Sequence, residues 1–178
     1  MPFYTVHHAD TLTEVQQEKL ALAITDIHST KFTTPKIFVN VAFQDISKEV
    51  RFVGGKRKSA NLIAANVRHG PSRTSEDYAD LIRQIQAAWL RIVPGTTMNR
   101  VVLNGSIVAG MEAGVILPSA GGDKQWISDN WEMFNQRAEA GDEEMRDIVE
   151  DIKERGLLGD GRTAMQRLEE ALGWGESA

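Results

Sequence analysis

A strand-helix-strand hydrophobic pattern occurs twice in the first two thirds of this chain, and that doubling most constrains the fold. Tyr4 to His8 has strand character, and a helix follows from about Thr13, where Thr13 and Gln16 have capping-box spacing. Leu20, Ile24 and Ile27 mark one face of that helix. Beyond Pro35, the run from Ile37 to Phe43 places an apolar residue at every second position, as a half-buried strand does. The second unit opens with a short strand near Arg51 to Val53, the Gly54-Gly55 turn and the strand Leu62 to Arg68. Ser72-Arg73-Thr74 leads into a helix with Glu76 and Asp77 in its first turn, where the dipole favours acids. Its stripe runs through Tyr78, Leu81, Ile82, Ile85, Trp89 and Ile92 until Pro94-Gly95 stops it, and Arg100 to Asn104 closes the unit. Right-handed crossovers turn two such β-α-β units into an α/β (α+β) fold: a four-stranded sheet with both helices on one face. The other face is left bare, which favours covering it by oligomerisation.

The 178 residues, 42% hydrophobic, suffice for one packed domain plus an appendage. From about Gly121 the character changes to charge-rich helical stretches, Glu143 to Glu154 and Thr163 to Leu172, after Trp126 and Trp131. The expected division is a domain over 1–130 and a helical extension over 131–178, docked on the domain or on a neighbour. A net charge of −5 argues against nonspecific nucleic-acid binding. The one dense basic run, Lys56-Arg57-Lys58, follows Gly54-Gly55 and reads as a solvated hairpin, and P-loop spacing fails because position 50 is Val. Without cysteine there is no disulfide, thiol nucleophile or thiolate metal site. His7 and His8 point to opposite faces of a strand, so no metal site is expected. Neither a signal peptide nor a membrane-length apolar stretch is present, so the expectation is a cytoplasmic protein with no membrane partner.

Several residues carry chemistry on their own account. Removal of Met1 leaves Pro2 with a secondary amine at the start of a strand, able to act as base or acid near neutral pH. Many chains carry Pro after Met for no chemical reason, so the weight falls on partners downstream. His28, one turn beyond Ile24, lies near a helix C-terminus that favours a cationic imidazole, and a lone histidine there is ordinarily a surface cap. Arg73 opposes a helix dipole unless an anion occupies the site. Arg68 ends the preceding strand, so the loop between brings two guanidinium forks toward one carboxylate. The alternative for both arginines is a surface salt bridge with Glu76 or Asp77. Glu112 lies among small and apolar residues, which weakens its reading as a solvated charge.

Pro2, Ala23 to His28, the loop Arg68-His69-Gly70-Pro71-Ser72-Arg73, and Glu112 to Pro118 occur together in an order and spacing that resemble the tautomerase superfamily, in particular the cis-3-chloroacrylic acid dehalogenase-like group. The resemblance spans residues 2 to 130. It implies a homotrimer in which Pro2 is the catalytic acid or base, His28, Arg68 and Arg73 hold a substrate carboxylate, and Glu112 activates water. The group's tyrosine has no counterpart, because the stretch reads Val101-Val102-Leu103-Asn104-Gly105. The implied activity is therefore a cofactor-independent keto-enol tautomerase acting on a small unsaturated or enolisable carboxylate, with weak hydratase or dehalogenase activity. The alternative is a noncatalytic binding or scaffold protein on the same frame.

Overall fold

Two threonines open the long helices by the same device in the computed structural model, which describes residues 1–158. Ahead of helix α1 (Glu14–Phe32), the Thr13 hydroxyl accepts from the Gln16 N–H while the Gln16 side chain accepts from the Thr13 N–H. Ahead of helix α2 (Ser75–Ile92), Thr74 and Asp77 make the same reciprocal pair. Each box satisfies backbone N–H groups that the first helical turn leaves without partners.

Strands β1 (Phe3–His8), β2 (Asn40–Asp45), β5 (Leu62–Asn66) and β6 (Val101–Asn104) form one sheet in the order β2-β1-β5-β6. Each β-α-β unit pairs its own strands in parallel, β1 with β2 and β5 with β6, and the two units join through antiparallel β1 and β5. Tyr4, Val6, Ile63 and Ala65 project to the helix side, where they form a core with Leu20, Ile24, Leu81, Ile85 and Trp89. The opposite face carries Phe3, Thr5 and Ala64 in register, with Phe3 and Val102 exposed. The expected fold class, two β-α-β units with both helices on one face and helices following, is the one observed.

The strand expected from Ile37 starts three residues later. Pro35 presets a turn, Lys36–Phe38 forms one turn of 3₁₀ helix closed by the Val39 N–H on the Lys36 carbonyl, and Phe38 is buried beneath it. The basic run is a hairpin as expected. β3 (Phe52–Val53) pairs with β4 (Lys56–Arg57) across Gly54 and Gly55, whose φ values of 59° and 75° are those of a turn matched to strand twist. A second hairpin pairs β7 (Met111–Glu112) with β8 (Val115–Ile116).

The chain forms two compact units that meet in sequence at Gly121 and Gly122, so α3 (Asp123–Glu139) lies wholly in the second although the sequence places the division after residue 130. In that unit the Asp142 side chain caps α4 (Glu143–Glu154), and Met145, Ile148, Val149 and Ile152 form the buried stripe read from the sequence. The expected helix from Thr163 to Leu172 lies outside the described residues. Among the described residues no helix is long and apolar enough to cross a membrane.

At the sheet end remote from Pro2, buried Asn61 accepts from Ala9 N–H at 2.8 Å and donates to Asp10 Oδ2 at 2.7 Å and to the Thr97 carbonyl at 2.8 Å. We expect Asn61→Ala to cost about 2 to 3 kcal/mol by stranding these groups. Urea unfolding of the two proteins at matched concentration measures it, and a cost below 0.5 kcal/mol, on the order of an ordinary surface change, contradicts the assignment.

Candidate active site

Leu20, Ile24 and His28 follow one another at intervals of four on α1, so the apolar stripe delivers the imidazole into the interior. His28 is 1% exposed, which corrects the reading of a surface cap. Its Nδ1 lies 2.7 Å from the hydroxyl of Tyr4, and the Phe32 ring packs edge-on against it with centroids 4.9 Å apart. Tyr4 projects to the helix side from β1, two residues beyond Pro2. Burial pushes the Tyr4 phenol above its usual range, against the opposing pull of Arg73, so the group stays an O–H.

The two arginines are 5% and 6% exposed. The Arg73 guanidinium lies 4.1 Å above the Phe32 ring and donates from Nη1 to the backbone carbonyl of Arg68 at 2.9 Å. Arg68 in turn donates from Nη1 to the Pro118 carbonyl at 2.9 Å, with its guanidinium 5.7 Å from the Phe38 ring. A surface salt bridge to Glu76 or Asp77 is not what forms: Glu76 pairs with Arg83, while Asp77 caps α2 and meets Lys31 at 3.3 Å. The Tyr78 hydroxyl also donates to the Arg68 carbonyl, at 3.3 Å, and exposed His69 lies 3.3 Å from that hydroxyl.

Register brings the chain start to the same place. Phe3 pairs with Asn66 in the antiparallel ladder and the Pro2 carbonyl accepts from Asn40 N–H at 3.0 Å, so Pro2 stands at the sheet end from which Arg68 departs. Pro2 is itself buried. Glu112 lies on the β7–β8 hairpin, with its Oε2 withdrawn from solvent. Residues of that hairpin and its flanks, among them Gly110, Leu117 and Pro118, line a cavity of about 320 Å³ together with Arg68 and His69. Leu103, where the sequence lacks a phenol, turns to the helix side and lines another cavity of about 270 Å³ with Val67, Ile82 and Tyr78.

Burial, then Arg73, then the terminal amine, then Arg68 lower the pKa of His28 to about 3. The imidazole is therefore neutral at physiological pH, and the helix dipole, which favours the cation, does not decide its state. Tyr4, Phe32 and Tyr78 were absent from the site as read in the sequence. Tyr4 had a signal, its place two residues beyond Pro2; Tyr78 was read only as part of the second helix's apolar stripe, and Phe32 was not singled out. No group of histidine and acidic side chains suited to a metal ion occurs among the described residues.

This geometry meets an independent observation: the family model described as "Putative oxalocrotonate tautomerase enzyme" matches residues 1–131. The chain belongs to this tautomerase family. Its fold is similar to that of N1, a member of the cis-3-chloroacrylic acid dehalogenase family (TM-score 0.61, 22% identity, 82% of this chain and 99% of that one). A probable enzyme from the thermophilic fungus Aspergillus fumigatus is similar at TM-score 0.56 and 22% identity, over 73% of this chain and 94% of its own. The F6 fused 4-OT asymmetric trimer is similar at TM-score 0.52 and 15% identity, over 64% and 94%. None of the curated proteins matches the chain. In this family member the matched region holds all five residues singled out from the sequence.

The neutral state of His28 has a consequence for stability. In the unfolded chain imidazole titrates near its usual value of 6.5, and in the folded protein only near about 3. Between those values the unfolded state binds a proton that the native state refuses, so stability is full above the unfolded pKa and falls as pH drops. We expect the wild type to lose about 2 kcal/mol between pH 7 and pH 5 relative to His28→Gln. Urea unfolding of both proteins at the two pH values checks this, and parallel profiles contradict it.

Proposed function

We propose that the protein is a cofactor-independent keto-enol tautomerase of small enolisable carboxylic acids, with Pro2 as the proton carrier and Arg68, Arg73 and His28 as the clamp. The observation that carries this reading is the pair of buried guanidiniums beside a neutral imidazole at the sheet end where the chain begins. Two guanidinium forks on one loop suit the charge and planar geometry of a carboxylate. Removal of Met1 is part of the proposal, because the Pro2 nitrogen is otherwise a nonbasic amide.

Burial, with Arg73 and Arg68 adding to it, keeps His28 neutral, and an amine freed at Pro2 is assigned the unprotonated, basic role. That base takes the proton of an enol and returns it to carbon, while the arginines fix the carboxylate and stabilise charge that develops beside it. Glu112 is assigned to the direction of water in a slower hydration or dehalogenation of cis-3-haloacrylate. The group's tyrosine is missing there and Leu103 faces the helices, so tautomerisation is the principal reaction. The exposed Phe3 and Val102 on the open sheet face support assembly as a homotrimer, and the similar F6 protein is named as a trimer.

With Met1 cleaved, we expect Pro2→Ala to lower turnover of an enolpyruvate by about 100-fold to 10,000-fold with little change in KM, and Arg68→Ala mainly to raise KM. Steady-state kinetics on protein whose N-terminus has been verified by mass spectrometry decide the matter. Unchanged turnover removes Pro2 as proton carrier and leaves the frame as a binding scaffold. Sedimentation analysis is expected to give three chains per particle, and a monomer at micromolar concentration contradicts the trimer.

A further inference from the structure

Tyr4 is 0% exposed, and its hydroxyl has one hydrogen-bond partner among the described residues, Nδ1 of His28. A buried hydroxyl must place its hydrogen on an acceptor, and here the acceptor is that nitrogen. Nδ1 is then unprotonated, and the single proton of the neutral ring resides on Nε2. The other tautomer sets an N–H against the phenol oxygen and leaves the phenol hydrogen without an acceptor, a loss that disfavours it by about 5-fold to 150-fold. The ring is closed in by the phenol at 5.7 Å and Phe32 at 4.9 Å between centroids. Nε2–H has no partner among the described residues.

We propose that Tyr4 is a positioning residue that fixes His28 as the Nε2–H tautomer, so that this N–H is offered to the 2-oxygen of a 2-oxo acid or its enol whose carboxylate lies on Arg68 and Arg73. This names the substrate class of the site described above and rests on the assignment of the arginine clamp. Two guanidiniums already match the charge and geometry of a carboxylate. A neutral N–H brings no charge of its own, and its hydrogen bond strengthens as an adjacent oxygen turns from ketone toward enolate. The imidazole thus discriminates between a plain carboxylic acid and one that carries oxygen at the next carbon. No proton is transferred by Tyr4 or His28: the phenol keeps its hydrogen and the ring keeps its one proton throughout.

The test uses the Met1-free full chain with ¹⁵N-labelled histidine. Long-range ¹⁵N–¹H correlation spectra are expected to show His28 with acceptor-type Nδ1 and protonated Nε2, unchanged from pH 8 to pH 5. In Tyr4→Phe the ring signals are expected to move toward a mixture of tautomers. Competition with an enolpyruvate, or direct calorimetry, gives the affinities of 2-oxobutanoate and butanoate. The 2-oxo acid is expected to bind the wild type about two- to tenfold more tightly than the plain acid, and Tyr4→Phe to lose most of that ratio with butanoate affinity kept. An Nδ1–H ring in the wild type overturns the proposal, and that spectrum needs no variant, so it decides even if Tyr4→Phe fails to fold. An unchanged affinity ratio in folded Tyr4→Phe also overturns it. Absence of turnover alongside the expected spectrum and ratio counts against the tautomerase reading and in favour of this one.

Discussion

The antiparallel pairing of β1 with β5 is the contact on which the site depends. Each β-α-β unit is parallel within itself, so only the junction between units decides which strand ends meet. Because that junction is antiparallel, the start of β1 lies beside the end of β5, and Pro2 comes to Arg68; a parallel junction would bring Pro2 to the Leu62 end instead. The helices follow from the same choice. A crossover helix runs back along its strand, so the last turns of α1, with His28 and Phe32, return to the start of β1, while the loop before α2, with Arg73, begins where β5 stops. Four candidate groups from three separate stretches of sequence thereby reach one end of one sheet.

Gathering two arginines there has an electrostatic cost that the surroundings partly offset. Phe32 and Phe38 present ring faces near the guanidiniums, and the Arg68 and Pro118 carbonyls accept their N–H groups. The guanidiniums still exert a positive field on their surroundings. Its effect is visible at His28, where Arg73 and Arg68 add to burial in expelling the second proton. In the proposed mechanism the cations meet an anion while a neutral ring polarises oxygen, two tasks that a cationic histidine would merge.

The fold was legible because hydrophobic period and capping are local properties. Thr13 with Gln16, the Gly54-Gly55 turn and the α4 stripe are each written within a few adjacent residues, and each formed as read. Strand limits were less legible: Ile37 and Phe38 alternate like a strand, but Pro35 winds them into a turn that buries Phe38. The site was legible in part. His28, Arg68 and Arg73 were found as residue types at telling positions, yet the burial of His28 depends on Tyr4 and Phe32, which reach it only through tertiary packing. A histidine at a helix end reads as a surface cap unless its interval from Ile24 and Leu20 is given more weight than the dipole.

Main-chain anchors tie the arginine loop to the segment that follows the Glu112 hairpin. Arg68 donates to the Pro118 carbonyl and Ser72 to the Ala120 carbonyl at 2.8 Å. Gly121 is required beside them: its φ of 90° suits glycine, and a Cβ there would stand 2.6 Å from the Ser72 hydroxyl oxygen. The loop is held from within by the Arg73 N–H on the Gly70 carbonyl at 3.1 Å and by Arg73 Nη1 and Tyr78 on the Arg68 carbonyl. Backbone carbonyls thus help to fix both guanidiniums, and carbonyls do not depend on the identity of the side chains they come from. Side chains at residues 118–120 can change while their carbonyls go on accepting, whereas Gly121 and Tyr78 act through their own conformation or side chain and have no such freedom.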